Sequence, residues 1–263
     1  MPILTLTTDF GLKDGFVGVM KGVIWGICPE ARIADLSHSV APQNVLEGAF
    51  VLARACPFFP PGTVHLAVVD PGVGTERRPL AARLGDHFFV GPDNGLFTPV
   101  IEATERKGEA LDFVHLTNPR YWLPDVSRTF HGRDLFAPVA AHLAGGVPLA
   151  ELGPAITDPV RIPLPHPEKT ASGWNAHVTG VDSFGNLTTD LPASALERRE
   201  RVLFRLLGRE VRGLVDSYGH EQPGALVALA DSQGFVEIAA VNGSAAQLLG
   251  AQAGDVVEVL ISG

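Results

Sequence analysis

Thr63-Val64-His65-Leu66-Ala67-Val68-Val69-Asp70-Pro71-Gly72-Val73-Gly74-Thr75-Glu76-Arg77-Arg78 is the stretch on which the reading of this chain turns. Its first seven residues are mostly apolar and rich in β-branched side chains, which predicts a buried strand. A carboxylate, a Pro-Gly turn and two guanidiniums follow directly. Gly72 and Gly74 admit the unusual φ values of a tight loop, so Arg77 or Arg78 can fold back toward Asp70. Ligands of open α/β sheets bind beyond the carboxyl ends of the strands, so this loop is a candidate site. Taken alone, the same residues would also make a surface turn with a solvated ion pair.

Working outward, the N-terminal half repeats the strand-then-helix pattern. Residues 2–8 read as a first strand ending at Asp9-Phe10-Gly11. From Gly15 to Cys28 the apolar positions Phe16, Val17, Met20, Val23, Ile24 and Ile27 recur at helical spacing. Strands are predicted at Ala31–Leu36 and Asp112–Leu116, and helices at Asn44–Ala55 and Phe97–Ala103. Leu80–Leu84 and His87–Val90 read as a hairpin around Gly85-Asp86. Thr129-Phe130-His131-Gly132-Arg133-Asp134 opens a helix over Leu135–Leu143, placing His131 near backbone N–H groups that lower an imidazole pKa. The alternation predicts an α/β N-terminal domain, residues 1–153, with a mostly parallel, helix-flanked sheet.

Five prolines between 154 and 173 mark a linker. Beyond it, residues 174–263 change to short strands, at Trp174–Val181, Arg201–Leu207, Glu210–Leu214, Leu226–Asp231, Phe235–Val241 and Asp255–Leu260. These predict a smaller all-β barrel. Three polar clusters interrupt them: Asp182-Ser183-Phe184-Gly185-Asn186, Asp231-Ser232-Gln233-Gly234-Phe235 and Val241-Asn242-Gly243-Ser244. Each suits a turn, and two set an aromatic ring beside amides and carboxylates, the mixture a purine site requires.

Composition narrows the function. A formal net charge of −9 argues against a nucleic-acid partner, which calls for a basic surface. Neither a secretory leader nor an apolar run long enough to span a bilayer is present, so no membrane association and a cytoplasmic location are expected. Cys28 and Cys56 read as buried apolar residues in a reducing compartment. The Gly-x-Gly-x-x-Gly and Gly-x4-Gly-Lys-Ser/Thr phosphate loops are missing, as is any His-Glu-x-x-His spacing, so no cofactor and no metal are expected. Asp9-Phe10-Gly11 matches a protein-kinase tripeptide, but the other kinase motifs are missing.

Taken jointly, the motifs resemble the S-adenosylmethionine hydroxide adenosyltransferases (S-adenosylmethionine hydrolases), relatives of fluorinase and chlorinase. The resemblance spans nearly the whole chain. It runs through Thr8-Asp9-Phe10-Gly11 with Asp14 and Met20-Lys21-Gly22, Asp70-Pro71-Gly72-Val73-Gly74 with Arg77, and Phe130-His131-Gly132-Arg133, then Asp182-Ser183-Phe184-Gly185-Asn186, Ser232-Gln233-Gly234 and Asn242-Gly243. The family's hydrolase branch carries an Asp, an Arg seven residues later and a distant His, matched here by Asp70, Arg77 and His131. Asp70, Gly132 and the tight Gly85-Asp86 turn depart from the halogenating enzymes and favour water over halide. Gln233 stands where fluorinase has an arginine.

The resemblance implies hydrolysis of S-adenosyl-L-methionine to adenosine and L-methionine, in a homotrimer. Each ligand would lie between the first domain of one subunit and the second domain of its neighbour. Asp9 would hold the ribose hydroxyls, Asn186 and the backbone at Asn242-Gly243 the adenine edge, and Phe184 would pack near the base. Asp182 and Ser232 would take the methionine ammonium and carboxylate. Arg77 would polarise a water, Asp70 orient it or take its proton, and His131 fix the arrangement or relay the proton. The alternatives are a non-catalytic adenosine- or S-adenosylmethionine-binding sensor and a halide-using relative.

Overall fold

The structure is a computed structural model describing residues 1–197 and 199–261. The chain divides into two compact units, Met1–Pro163 and Leu164–Gly263.

In the first unit the described residues form strands β1 (Ile3–Thr8), β2 (Arg32–Ser37), β3 (Val64–Val68), β4 (Pro79–Leu84), β5 (His87–Pro92), β6 (Leu111–His115) and β7 (Ala155–Ile156). They make one sheet in the order β2-β1-β3-β5-β4-β6-β7. Helices α1 (Phe16–Ile27) and α4 (Ala137–Ala144) pack on one face, α2 (Val45–Ala55) and α3 (Thr98–Lys107) on the other. β3 is the axis of this sandwich. Val64, Leu66 and Val68 join the core under α1 and α4, while Ala67 and Val69 join the core under α2 and α3. That two-sided burial is why the stretch reads as a continuous apolar run.

The expectation of a mostly parallel sheet needs correction: the sheet is mixed. β1 pairs in parallel with β2 and β3, and β3 with β5. From β5 onward every pairing is antiparallel, β5 with β4, β4 with β6, and β6 with β7. The cause is the Gly85-Asp86 hairpin, whose Gly85 has φ 58°. A tight turn returns the chain antiparallel, and the strands added beyond β4 continue that sense. The proline-rich stretch is pinned to this unit over its first part. β7 pairs with β6, Arg161 reaches Glu105 at 2.6 and 2.8 Å, and Val160 N–H donates to Asp93 at 2.7 Å.

The second unit carries β8 (Glu168–Lys169), β9 (Gly173–Val181), β10 (Leu187–Pro192), β11 (Val202–Leu206), β12 (Arg209–Arg212), β13 (Leu226–Ala230), β14 (Phe235–Ala240) and β15 (Val256–Ile261), with a short helix α5 (Ala245–Leu249). The sheet is antiparallel, in the order β12-β11-β15-β9-β10-β14-β13, with β8 on β9. A bridge between Val215 and Leu229 brings the chain after β12 back to β13 and nearly closes the sheet into a barrel. β10 is central yet escaped the sequence reading, because Thr188, Thr189 and Asp190 break its apolar pattern. They are buried and satisfied: Thr189 Oγ1 donates to the Val236 carbonyl at 2.7 Å, and Asp190 accepts the His177 N–H at 2.8 Å. Among the described residues no helix is long and apolar enough to cross a membrane.

Candidate active site

Asp9 and Asp70 follow two strands that are parallel neighbours in matched register. Thr8 on β1 pairs with Val68 on β3, so both carboxylates leave the same edge of the sheet. The chain also changes direction here, β2 lying on one side of β1 and β3 on the other, which is where an open α/β sheet forms its crevice.

The loop after Asp70 folds Arg77 back. Val73 N–H donates to the Asp70 carbonyl at 3.2 Å and Thr75 Oγ1 to the Gly72 carbonyl at 2.6 Å. Gly74 sits at φ 76°, and a Cβ there would stand 2.3 Å from the Arg128 carbonyl oxygen, so this close approach requires glycine. Arg77 Nε then lies 2.9 and 3.0 Å from the two carboxylate oxygens of Asp70, with Nη2 at 2.5 Å from Oδ2. The two side chains are only 9% and 5% exposed. A forked, desolvated guanidinium–carboxylate pair of this kind is rigid in a way a surface ion pair is not.

The same Nη2 lies 2.7 Å from Nδ1 of His131. A guanidinium only donates, so this Nδ1 is the unprotonated, accepting nitrogen of a neutral ring. Burial, and then the charge of Arg77, hold the His131 pKa below its ordinary value of 6.5. The Arg77 guanidinium also lies 5.2 Å from the centre of the Phe136 ring. Nη1 is buried and has no hydrogen-bond acceptor among the described residues. Arg78 turns the other way, to Asp93 at 2.8 Å and to the side chain and carbonyl of Asp158 at 2.9 and 2.6 Å. Arg77, then, is the guanidinium that meets Asp70.

His131 precedes a π-helical turn, Gly132–Phe136, that runs into α4. The fully buried Asp134 anchors the loop before it, accepting Ser127 N–H at 2.8 Å and Ser127 Oγ–H at 2.6 Å. Ser127 Oγ in turn accepts Phe130 N–H at 3.1 Å. Phe130, Phe10 and Phe16 meet edge to face, with centroids 5.3 to 6.1 Å apart, tying the His131 loop to the Asp9 turn.

In the second unit, Asp182 Oδ1 accepts the Phe184 and Asn186 N–H groups at 2.9 and 2.8 Å, and Oδ2 accepts Asn186 Nδ2 at 3.0 Å. Asp182 thus builds the loop that presents Phe184, 76% exposed, and Asn186, 7% exposed. This loop packs against the segment after Asn242-Gly243: Ala246 N–H donates to the Gly185 carbonyl at 2.9 Å, and a Cβ on Gly185 would meet Ser244 Oγ at 2.0 Å. Ser232 is apart from them, in the β13–β14 turn. β14 separates it from Asn242 by roughly 17 Å of extended chain.

Sequence reasoning missed Phe136, His38 and Gln43. Phe136 reads as one more apolar residue of its helix, while His38, whose Nδ1 lies 2.8 Å from Thr8 Oγ1, and Gln43, whose N–H donates to Asp9 Oδ2 at 2.7 Å, read as ordinary loop residues, since no local pattern marks a contact made across the fold. Among the described residues no three His, Cys, Asp or Glu side chains gather as a metal-ligand set.

Comparison with known proteins agrees with the resemblance. The model of the SAM hydroxide adenosyltransferase N-terminal domain matches residues 4–153, and that of the C-terminal domain residues 176–258. A Salinispora tropica protein named (R)-S-adenosyl-L-methionine hydrolase is 47% identical over 261 residues, covering 98% of this chain and 97% of its own. An Actinoplanes sp. fluorinase is more distant, 32% identical over 224 residues, covering 75% of this chain and 74% of its own. A solved Thermotoga maritima structure, described as an uncharacterized conserved protein, has a TM-score of 0.90 at 38% identity, covering 98% of this chain and 99% of its own. Both parts of the chain match the family models, and a 47% identical relative matches 98% of it: the chain belongs to the SAM hydroxide adenosyltransferase family.

Proposed function

We propose that this protein hydrolyses S-adenosyl-L-methionine to adenosine and L-methionine. The observation that carries the reading is the buried Arg77 guanidinium, clamped by Asp70 and held by His131, with Nη1 left without an acceptor among the described residues. The sulfonium leaves as a neutral thioether, so no acid is needed at sulfur. The chemistry asks instead for an oxygen nucleophile held in line with the C5′–S bond. Arg77 holds the water and favours its hydroxide-like form by charge. The water oxygen bonds to C5′, the C5′–S pair passes to sulfur, and the released proton goes by way of the Asp70 carboxylate to solvent. His131 accepts from Arg77 and fixes its orientation. No metal takes part in this scheme.

Substrate contacts follow the family pattern. Asp9 takes the ribose hydroxyls, Asn186 and the Asn242-Gly243 backbone the adenine edge, and Phe184 the base. Asp182 takes the ammonium, and Ser232, at the far end of β14, the carboxylate. We extend the reading to a cytoplasmic homotrimer whose sites lie at subunit interfaces. The Phe184 ring, 76% exposed, is the apolar side chain that such an interface would cover. Light scattering tests it: a mass of one chain would exclude the trimer.

The deciding experiment incubates chelator-treated protein with S-adenosyl-L-methionine, with and without chloride, and separates the products chromatographically. Adenosine and methionine in both samples are expected. Chloride-dependent 5′-chloro-5′-deoxyadenosine would indicate the halide reading, and binding without turnover the sensor.

A further inference from the structure

The segment between β2 and α2 grips the turn that carries Asp9 at three points. His38 Nδ1 lies 2.8 Å from Thr8 Oγ1, the His38 carbonyl accepts Gly11 N–H at 2.8 Å, and Gln43 N–H donates to Asp9 Oδ2 at 2.7 Å. Behind it, His38 Nε2 lies 3.1 Å from Asp35 Oδ1, an ion-pair distance off the line of a good hydrogen bond, and Lys21 donates to Asp35 Oδ2 at 2.6 Å. With Nε2–H turned to the carboxylate, His38 Nδ1 accepts the Thr8 hydroxyl, whose oxygen accepts Phe10 N–H at 3.2 Å. The polar relay thus runs from a half-exposed ion pair, through a buried imidazole and a fully buried threonine, to the backbone beside Asp9.

Such a relay is a costly way to hold a turn. Apolar packing would cover the same space without desolvating an imidazole and a hydroxyl. Gln43 adds strain, sitting at φ 66°, left-handed for a residue with a side chain, while its N–H points at Asp9. The result fixes one carboxylate oxygen on Gln43, which leaves Asp9 little freedom to rotate. A vicinal diol presents two hydroxyls at fixed spacing, and a rigid carboxylate distinguishes it from a single hydroxyl better than a mobile one.

We propose that His38 is a positioning residue for ribose recognition, acting through Thr8 and the Gln43 strap to hold Asp9 for a 2′,3′-diol. This rests on the reading of Asp9 as the ribose acceptor. The experiment measures kcat and KM for S-adenosyl-L-methionine and for its 2′-deoxyadenosyl counterpart in four proteins: wild type, Asp9→Asn, His38→Ala and Thr8→Val. Thermal melts confirm folding, and Thr8→Val, similar in volume, carries the test if His38→Ala does not fold. Wild type prefers the ribosyl substrate and Asp9→Asn loses that preference. His38→Ala and Thr8→Val lose about tenfold of it, through a raised KM for the ribosyl substrate alone, with its kcat within about threefold. A merely structural role would lower both substrates alike, and that result overturns the proposal. Preference intact in both relay variants but lost in Asp9→Asn also overturns it, leaving the ribose reading in place. Preference retained in Asp9→Asn overturns the ribose reading and the proposal together.

Discussion

Arg77 Nη2 and His131 Nδ1 lie 2.7 Å apart, 54 positions separated in the chain, and the direction of that bond is fixed because the guanidinium has only protons to give. His131 is therefore neutral in this arrangement. Burial and Arg77 hold its pKa below 6.5, so the neutral, accepting form persists as pH falls through 6.5 and is lost only below it. The pH profile of kcat/KM for adenosine formation is expected to have the midpoint of its acid limb below pH 6.5. An acid limb centred at or above 6.5 would contradict the assignment.

Arg77 and Arg78 are adjacent and chemically identical, yet their substitutions are expected to differ in kind. Arg77→Lys loses the fork on Asp70, and Asp70→Asn loses the charge that holds the guanidinium. Each is expected to cost about 10²- to 10³-fold in kcat with little change in fold. Arg78→Ala is expected to stay within about threefold in kcat. It costs about 1–3 kcal/mol of stability, because the Asp93 carboxylate, 1% exposed, loses its cation. Kinetics and urea unfolding on the same preparations separate the two.

Gly74→Ala tests the loop geometry. The new Cβ would sit 2.3 Å from the Arg128 carbonyl oxygen at a φ of 76°, so the loop must move off the segment leading to His131. A loss of about 2 kcal/mol in stability and a fall in kcat larger than the rise in KM are expected. Unchanged kcat would show that the loop tolerates the shift.

His65, fully buried at the start of β3, lies 2.7 Å from Thr5 Oγ1 and stacks on Phe89 at 4.9 Å. Burial and the neighbouring His87 push its pKa down from 6.5 to about 3. The unfolded chain thus binds a proton here between those values that the fold does not, so stability rises with pH across this window and is lost as pH falls. Between pH 7 and pH 5 this residue is expected to account for about 2 kcal/mol of lost stability. Urea unfolding of His65→Gln at the two pH values is expected to show a correspondingly shallower dependence. An equal loss in both proteins would remove His65 from the account.

What the sequence determined by itself is everything carried by local pattern. Two-sided burial makes β3 a continuous apolar run, helical spacing marks α1, and Gly72 and Gly74 announce a loop that can bring a guanidinium back to Asp70. The joint order of the motifs carried the family. Tertiary structure decided whatever depends on partners remote in the chain. Arg77 rather than Arg78 pairs with Asp70 because Asp93 and Asp158 claim Arg78. The sheet is mixed because a hairpin, legible as a turn, sets the direction of every strand added after it. β10 could not be read because Thr189 and Asp190 are buried with their polar groups satisfied across the sheet, where no periodicity records them. His38 and Gln43 look like loop residues until the fold lays their segment against Asp9. Periodicity reports which face of an element is buried, and a hydrogen bond between distant segments leaves no mark on it.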